Sequence, residues 1–290
     1  MATNHLGRVI AARENLTVIN CQSCGYAHLD RFPSDAELDK FYESDFWQKE
    51  KAGELINTLE QHAWLNAIYG DWLSLVGAYT RGRTLLDVGS GYGLFLDKAH
   101  SEGWNTFGIE PNTEAADYSK GKDSIIFSRD EQVGNTRFDC ISAMWLIEHL
   151  PKPLDFLKWC RMHLEPGGVL LAVVPQEWTE NQAKANGYVS KKNWWIHHTH
   201  LNYFSQTSFA NLLGRAGFHI VELIASYPME TFITETFTNY IDFPYLGKSA
   251  HKVIEAQELD YDRERRIAEY RHRARFARGR DLIVVAKYDY

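Results

Sequence analysis

The sequence is poor in cysteine, has no long apolar run and carries no excess of positive charge. Its 290 residues include four cysteines, at positions 21, 24, 140 and 160, which do not form the framework of an extracellular disulfide-rich domain. No segment approaches the roughly 18 apolar residues of a membrane-spanning helix, and the N-terminus lacks the features of a signal peptide. The formal net charge of −7 argues against a general nucleic-acid binder. These absences predict a cytoplasmic protein whose partners include neither membranes nor nucleic acids.

The composition is sufficient for one large packed domain. Apolar residues make up 44% of the sequence and aromatic residues 13%, which is ample for a hydrophobic core. A chain of this length accommodates one complete α/β domain and one small appendage. We therefore predict an N-terminal ribbon-like or helical appendage over residues 1–53 and a main domain over 54–290, which contains an insertion at 226–279.

Residues 84–97, TLLDVGSGYGLFLD, carry the strongest indication of function. A short apolar strand at 85–88 leads into the turn Gly89-Ser90-Gly91-Tyr92-Gly93, whose glycines leave the backbone accessible to a ligand. Apolar residues then recur at helical spacing, and a second predicted strand at 105–109 ends at Glu110. Open α/β sheets bind ligands at the carboxyl ends of their strands, where an acid can accept hydrogen bonds from both hydroxyls of a ribose. The segment therefore predicts a site for an adenosine-type cofactor.

The third glycine of this turn distinguishes between two classes of cofactor. A dinucleotide fingerprint, Gly-x-Gly-x-x-Gly, needs glycine where Leu94 stands, which argues against a nicotinamide oxidoreductase. The actual spacing, with Asp87 ahead of Gly89, resembles the first motif of the class I S-adenosylmethionine-dependent methyltransferases, D/E-x-G-x-G-x-G. The resemblance implies an α/β fold, a Rossmann-like seven-stranded sheet with helices on both faces. It also implies S-adenosylmethionine as cofactor and S-adenosylhomocysteine as product.

The same resemblance implies which residues contact the cofactor. Asp87 and Gly89 are expected at the methionine tail, Glu110 at the ribose, and the backbone near Arg129 and Asp130 at the adenine. The full predicted set is Asp87, Gly89, Ser90, Gly91, Tyr92, Gly93, Glu110, Pro111, Asn112, Arg129, Asp130, Met144 and Trp145.

The order of the remaining elements is similar to that of the family. Strands are predicted at 138–143, 169–174, 218–223 and 282–286, and the last two are expected to be antiparallel at one sheet edge. A turn is predicted at 164–168. Helices are predicted at 54–79, at 154–163 and at 205–216, where Ser205 is the expected N-cap and Gly217 follows the helix end.

His149 is the first candidate catalytic residue, because it follows the fourth strand, whose carboxyl end faces the reactive methyl group in this fold. A neutral imidazole there can take a proton from a hydroxyl during methyl transfer. The alternative is that Glu148 and His149 only cap the turn before Pro151. This stretch also resembles the ubiquinone-pathway O-methyltransferases, in which E-x-x-E-H supplies metal ligands. Since Trp145 stands in place of the first acid, we predict no metal here.

Residues 194–205, WWIHHTHLNYFS, contain three histidines and four aromatic residues just before a predicted helix. They resemble the H-H-L-N-Y-F segment of methyltransferases of bacterial polysaccharide and modified-sugar pathways, and His200 matches most directly. We predict His200 as a second catalytic residue. Chelation of a metal by His198 and His200, or a surface loop without a role, stay open as alternatives. The predicted acceptor-binding residues of this segment are Trp194, Trp195, His197, His198, Asn202 and Tyr203.

The insertion at 226–279 is expected to determine substrate specificity, because loops vary while the scaffold stays fixed. Glu230 and His251 are its predicted acceptor-binding residues. We expect transfer of a methyl group to a small polar acceptor, a hydroxyl of a sugar or nucleotide-sugar. The alternatives are a phenol or quinone O-methyltransferase, an N-methyltransferase, and a catalytically silent cofactor-binding partner protein.

Eight arginines at 263–280 have two interpretations. They form either a solvated or oligomer-facing helix, which would allow a homodimer, or guanidiniums that hold the phosphates of an anionic acceptor.

The N-terminal appendage contains Cys21-x-x-Cys24-Gly25, the knuckle spacing of a zinc ribbon. The second cysteine pair that completes such a site is missing. His5 and His28 could in principle complete a Cys2His2 site, but their spacing is not diagnostic, so we do not expect zinc at Cys21 and Cys24. A helix with Ser34 as its cap is predicted to follow, with an aromatic face formed by residues 41, 42, 46 and 47.

Overall fold

The computed structural model describes residues 5–34, 37–38, 61–120 and 124–288. Its strands are β1 (Gly7–Arg13), β2 (Leu16–Cys21), β3 (Ala27–Leu29), β4 (Thr84–Val88), β5 (Asn105–Ile109), β6 (Ile125–Phe127), β7 (Phe138–Met144), β8 (Leu164–Pro175), β9 (Asn202–Tyr203), β10 (Phe218–Ala225) and β11 (Asp281–Tyr288). Its α-helices are α1 (His62–Gly77), α2 (Leu94–Ser101), α3 (Thr113–Lys120), α4 (Pro153–His163), α5 (Glu180–Tyr188), α6 (Gln206–Arg215), α7 (Thr231–Glu235), α8 (Tyr245–Leu259) and α9 (Arg263–Arg275). Short 3-10 helices occupy Asp130–Val133 and Ile147–His149.

A seven-stranded sheet forms the centre of the fold, in the order β10-β11-β8-β7-β4-β5-β6. β4 pairs in parallel with both β5 and β7, and β5 pairs in parallel with β6. The chain therefore winds outward from β4 in both directions, so that the carboxyl ends of these strands lie along one edge. The predicted Rossmann-like architecture is confirmed.

The chain divides into two compact units, of which one comprises residues 33–144, 157–172 and 285–290. Its core is built from the central strands, whose side chains Leu85, Leu86 and Ile141 are fully buried. The Asp139 carboxylate fixes the start of β4, because it accepts hydrogen bonds from the backbone N–H of Thr84 at 2.9 Å and from its hydroxyl at 2.7 Å.

The other unit comprises residues 1–32, 145–156 and 173–284. It contains a second sheet of four strands in the order β1-β2-β3-β9, and each strand of this sheet runs antiparallel to its neighbour. Pairing of Ala27 with Tyr203 and of His28 with Asn202 attaches the end of the histidine-rich segment to this sheet.

Helix α9 carries most of the arginines at 263–280, and several of them are engaged within this unit. Arg271 forms a bidentate pair with Glu222 of β10 at 2.9 and 2.7 Å. Arg266 donates to the carbonyl of Glu258 at 2.9 Å, and Arg273 lies 3.3 Å from the carboxylate of the same residue. These contacts favour the structural interpretation of α9 over direct phosphate binding by the helix.

Most of the predicted elements are present with small changes of boundary. Ser205 caps α6 by accepting the N–H of Ser208, and Gly217 follows that helix with a φ of +86°. Ser34 and Glu37 form the expected cap, since Ser34 N–H donates to the Glu37 carboxylate at 2.8 Å and Glu37 N–H to the Ser34 hydroxyl at 3.4 Å. The aromatic face at 41–47 and the first residues of the predicted helix at 54–79 lie outside the described residues.

One local prediction is wrong: residues 164–168 begin β8 instead of forming a separate turn. Gly167 has a φ of +84°, and a Cβ on Gly168 would lie 3.0 Å from the carbonyl oxygens of Phe138 and Asp139. The two glycines therefore allow the start of β8 to approach the neighbouring backbone closely.

Within the described residues, no helix combines the length and apolar character that crossing a membrane requires.

Candidate functional site

The glycine-rich turn follows β4 and adopts a backbone that other residues rarely adopt. Gly89, Gly91 and Gly93 have φ values of +75°, +53° and +73°. A Cβ on Gly93 would lie so close to the Ser119 hydroxyl, at 2.1 Å, that this position requires glycine sterically as well. The N–H groups of Gly89 and Ser90 donate to the carbonyl of Ile109 at 2.8 and 3.1 Å, which ties the turn to the end of β5.

Glu110 is the acid at the end of β5, and it is 4% exposed. One of its carboxylate oxygens accepts the N–H of Gly91 at 2.9 Å, and the other accepts the N–H of Asn112 at 2.9 Å. Burial raises the pKa of this carboxyl, whereas the two backbone hydrogen bonds lower it. Each oxygen keeps a further lone pair, which suits the two hydroxyls of a ribose.

Asp87 lies at the other side of the turn and is 1% exposed. Its carboxylate accepts the Ser142 hydroxyl at 2.7 Å. Burial raises the pKa of Asp87 to about 7, and the negative charge of Glu110 adds to this rise. Two buried acids in one place favour a ligand that brings positive charge, such as the ammonium of a methionine tail.

Further groups of the predicted cofactor set lie around the turn. The Ser90 hydroxyl is buried and has no hydrogen-bond partner among the described residues, as expected for a group that a ligand satisfies. The N–H of Glu110 donates to the carbonyl of Phe127 at 2.9 Å, which brings the end of β6, and so the Arg129–Asp130 backbone, towards the acid. The structure thus gathers the predicted turn, both acids, Asn112 and the segment after β6 in one unit.

The other residues predicted to contact the cofactor lie in surroundings that do not by themselves indicate a ligand. The Tyr92 ring packs edge-on against Tyr118 with centroids 5.5 Å apart. Met144 ends β7, and Pro111 follows Glu110 on the surface. Trp145 has a φ of +50°, and its indole N–H donates to the Asp281 carboxylate at 3.2 Å. Contact of these residues with a cofactor stays a prediction.

The second unit brings the two predicted catalytic histidines together. The rings of His149 and His200 lie 4.9 Å apart at an interplanar angle of 79°. His149 Nδ1 lies 2.6 Å from the carbonyl oxygen of Thr199, and since a carbonyl only accepts, Nδ1 carries the proton. The lone pair of the neutral ring is therefore on Nε2, which lies 3.8 Å from a carboxylate oxygen of Glu148.

Ligand atoms of Glu148, His149 and His200 all lie within 4.8 Å of one another, a spacing that could hold a metal ion. The sequence predicts no metal here, because Trp145 replaces one acid of the relevant motif. In the structure, His200 from a distant part of the chain lies where it could serve as the third ligand in place of that acid. The absence of a metal therefore stays a prediction.

His197 completes the histidine cluster. Its ring lies 3.9 Å from that of His200, and its Nδ1 lies 2.6 Å from the Thr199 hydroxyl. Burial lowers the pKa of His197 to about 4, and the neighbouring His149 and His198 lower it further. His197 is therefore neutral around pH 7 and acts as a hydrogen-bonding group.

The other residues of the histidine-rich segment divide by burial. Asn202 is 1% exposed, and its amide donates to the carbonyl of Leu150 at 2.7 Å, so it fixes the turn after β7. Tyr203 is fully buried, which favours packing over stacking on an acceptor. Trp194 and Trp195 are half-buried and pack edge-on with centroids 4.9 Å apart, whereas His198 is exposed.

A third cluster of polar side chains lies around Arg280 and includes the buried acid Glu177. No sequence pattern indicated Glu177 as a site residue. Burial raises the pKa of Glu177 to about 8 and also raises the pKa of Glu230. Desolvation lowers the pKa of the Arg280 guanidinium, but the charges of Tyr240, Asp281 and the two glutamates raise it. The net effect is a raised pKa. Burial, followed by the charge of Arg280, lowers the pKa of His251. Glu230 and His251, both predicted acceptor-binding residues, thus belong to one electrostatic cluster.

Comparison with known proteins identifies the family. The family model described as "Methyltransferase domain" matches residues 61–223, more than half of the chain. The ubiquinone biosynthesis O-methyltransferase of Actinobacillus pleuropneumoniae is 27% identical over 150 residues, which cover 46% of this chain and 62% of that protein. The enzyme of the same name from Paraburkholderia xenovorans is 28% identical over 114 residues, covering 36% and 49%. The matches span about half the length of these curated relatives.

Solved structures show the same fold. A Haloferax volcanii methyltransferase in complex with the Trm112 activator superposes with a TM-score of 0.53 at 17% identity, covering 86% of this chain and 98% of that one. A SAM-dependent methyltransferase of Thermotoga maritima gives 0.51 at 13% identity, covering 87% and 98%. At these identities the likeness establishes the fold alone.

Proposed function

Because this chain belongs to the methyltransferase domain family, we propose that it transfers a methyl group from S-adenosylmethionine to a hydroxyl of a small polar acceptor, a sugar or nucleotide-sugar. The family match and the fold support S-adenosylmethionine as the cofactor and S-adenosylhomocysteine as the product. One observation carries the proposal: the buried Glu110 carboxylate both holds Gly91 of the turn and keeps lone pairs for a ribose.

When bound, S-adenosylmethionine supplies an electrophilic methyl group on a sulfonium. The chain contributes to the reaction by removing a proton from the acceptor hydroxyl. The His149 ring is fixed by Thr199 so that Nε2 offers its lone pair, which suits it as the general base. In this reaction the acceptor oxygen would take up the methyl group from the sulfonium, which would leave as the thioether of S-adenosylhomocysteine, and Nε2 of His149 would accept the hydroxyl proton.

The residues proposed to bind the acceptor include aromatic and charged side chains that suit a polar molecule. Trp194 and Trp195 are half-buried aromatic side chains of the type that stack on sugars. Arg280 keeps part of its surface exposed to solvent, and its positive charge acts on the buried carboxyl groups of Glu177 and Glu230. A guanidinium suits a phosphate or carboxylate on the acceptor, because it can donate two parallel hydrogen bonds to such a group.

A phenolic acceptor is the second candidate, because the curated relatives are named ubiquinone biosynthesis O-methyltransferases. The cluster of Glu148, His149 and His200 favours this candidate in one respect, since a divalent ion held there could polarise a phenolic hydroxyl. A metal-assisted reaction would require the cation, whereas a base-assisted reaction would not.

The test is methyl transfer from labelled S-adenosylmethionine to two sets of acceptors, nucleotide sugars and catechol-type phenols, each with and without a chelator. Label on a sugar hydroxyl that persists with chelator supports the main proposal. Label on phenols that is lost with chelator supports the second candidate. Gly91→Val serves as the cofactor-binding control, and S-adenosylhomocysteine binding without any methyl transfer would identify a silent partner protein and refute both.

A further inference from the structure

The turn at Cys21–Gly25 has the geometry of a metal-binding knuckle. The N–H of Cys24 donates to the sulfur of Cys21 at 3.4 Å, and the N–H of Gly25 donates to the carbonyl of Cys21 at 2.9 Å. Gly25 has a φ of +77°, which closes the turn directly after the second cysteine. Cys21 and Cys24 are both present as free thiols.

The four-stranded sheet brings two histidines next to the knuckle. In the sequence one of them precedes Cys21 and the other follows Cys24. Pairing of β1 with β2 sets Gly7 opposite Cys21, so that His5 just before β1 reaches the knuckle. A Cβ on Gly7 would lie 2.4 Å from the Asn20 carbonyl oxygen, so glycine permits this close approach. Pairing of β2 with β3 sets His28 opposite Ile19, beside the same turn.

The distances among the four side chains are close to those of a tetrahedral zinc site. All four ligand atoms lie within 4.8 Å of one another. Nδ1 of His5 lies 3.6 Å from the Cys21 sulfur and 3.3 Å from the Cys24 sulfur. Zinc bonds to sulfur and nitrogen place neighbouring ligand atoms about 3.3–3.8 Å apart in a tetrahedron. A shift of roughly 1 Å at the widest pair is therefore enough to close the site.

His28 supplies independent support for a bound ion. It is 1% exposed, and its Nδ1–H donates to the carbonyl of Leu29 at 2.6 Å. The lone pair is therefore on Nε2, which is buried and has no hydrogen-bond partner among the described residues. A metal-binding histidine usually donates its other ring N–H to a carbonyl or carboxylate in this way, which fixes the ring and its tautomer.

We propose that this chain binds one structural zinc ion through four side chains: His5, Cys21, Cys24 and His28. The two histidines take the place of the second cysteine pair, whose absence from the sequence argues against zinc when the motif is considered alone. Two thiolates and two imidazoles in tetrahedral spacing select zinc among the common divalent ions. Four protein ligands leave no open position, so the ion stabilises the fold and takes no part in catalysis.

The site has a defined structural consequence within its own unit. His28 on β3 pairs with Asn202 on β9, and the Asn202 amide holds the carbonyl of Leu150 at 2.7 Å. Zinc bound to His28 therefore stabilises the sheet to which the segment carrying His200 is attached. Loss of the ion is expected to lower the unfolding temperature of the protein.

The first experiment measures the zinc content of the full chain after gel filtration in a buffer free of chelator. We expect one zinc per chain in the wild type and a clear loss in Cys24→Ser and His28→Gln. Cys160→Ala and His219→Gln, which change a cysteine and a histidine outside the cluster, are expected to keep the ion. Full zinc content in both cluster variants would refute the site.

The second experiment needs no variant and so does not depend on whether a variant folds. The zinc of the wild-type chain is replaced with cobalt(II), and the absorption spectrum is recorded. Thiolate-to-cobalt charge transfer together with the intense visible bands of tetrahedral cobalt supports the proposal. A wild-type chain that contains no zinc and shows neither feature on cobalt addition would overturn it.

Discussion

The Glu110 carboxylate accepts a hydrogen bond of 2.9 Å from the backbone N–H of Gly91. The acid that ends β5 and the turn that follows β4 are therefore one structural element. The bond orders a turn whose glycines would otherwise be highly flexible. It also leaves the second lone pair of each carboxylate oxygen for a ligand. Cofactor binding and local order are expected to depend on the same side chain.

Replacement of Glu110 with Ala tests this dependence. The variant loses charge-assisted hydrogen bonds, so affinity for S-adenosylhomocysteine should fall by roughly 1.5–3 kcal/mol, or about 10- to 150-fold. Titration calorimetry measures the change directly. Glu114→Ala, which removes an exposed acid at the start of α3, should bind as the wild type does. Unchanged affinity in Glu110→Ala and in Gly91→Val would remove the basis for the cofactor site.

The raised pKa of Asp87 predicts a pH dependence of cofactor binding. Burial raises the pKa of this carboxyl to about 7, so the free protein binds a proton there as the pH falls below neutral. A cationic methionine tail favours the ionised carboxylate, so the proton must leave before binding. Affinity for S-adenosylhomocysteine should therefore be highest above about pH 7 and fall by up to about tenfold per pH unit below it. Calorimetry across this range measures the profile, and a profile in Asp87→Asn as steep as the wild type would contradict the assignment.

The sequence predicted the conformation of the glycine-rich turn well because its determinants are local. Positive φ values at Gly89, Gly91 and Gly93 follow from the spacing of the glycines, and Glu110 follows from the end of an apolar run. The strands around them are short apolar segments bounded by polar residues, which a single sequence shows clearly.

Sites that join distant parts of the chain could not be predicted in the same way. His5 and His28 reach Cys21 only because two strand pairings bring them together, and the register of those pairings is a property of the folded sheet. The charges of Glu230 and Arg280 act on Glu177 for the same reason, and no motif connects these residues.

The segment at 164–168 shows how a close backbone approach overrides a local signal. Pro166 and the two glycines that follow it are typical of a turn. In the folded protein these glycines let the backbone lie against that of Asp139, and the segment becomes the start of β8. The neighbouring strand that decides the outcome is not visible in the local sequence.

Gly93 provides a test of the steric argument. Alanine there must adopt a φ near +73° and place its Cβ 2.1 Å from the Ser119 hydroxyl, so Gly93→Ala should destabilise the fold by about 1–3 kcal/mol. Gly187 lies in α5, and a Cβ added there would meet no atom within 4 Å beyond its own helix backbone and chain neighbours. Gly187→Ala should therefore be neutral or stabilising by up to about 1 kcal/mol. Urea denaturation compares the two variants, and equal midpoints would show that the turn has room for a side chain.

Arg280 is expected to affect the acceptor and not the cofactor. Arg280→Gln removes the charge proposed to bind an anionic acceptor, so KM for that acceptor should rise by about 10-fold or more. Arg278 lies over the Phe276 ring at 5.9 Å and serves as a matched control, because Arg278→Gln changes the net charge equally. Steady-state kinetics with the acceptor identified in the methyl-transfer screen measures both variants. An equal rise of KM in the two would attribute the effect to net charge.

The last prediction concerns proton removal by the histidine cluster. If His149 Nε2 is the base, His149→Ala should lower turnover by about 10²- to 10⁴-fold while affinity for S-adenosylhomocysteine stays near that of the wild type. His200→Ala should have a similar effect if that ring takes the proton instead, and the wild-type rate should rise with pH as the imidazole loses its proton. His219→Ala, which changes an exposed histidine, controls for general effects of the substitution.

Because the sulfonium is already a strong methyl donor, correct placement of the acceptor supplies part of the acceleration. Full activity in the double variant His149→Ala, His200→Ala would assign both residues a structural role, in which the hydrogen bond from His149 to Thr199 holds the turn after β7.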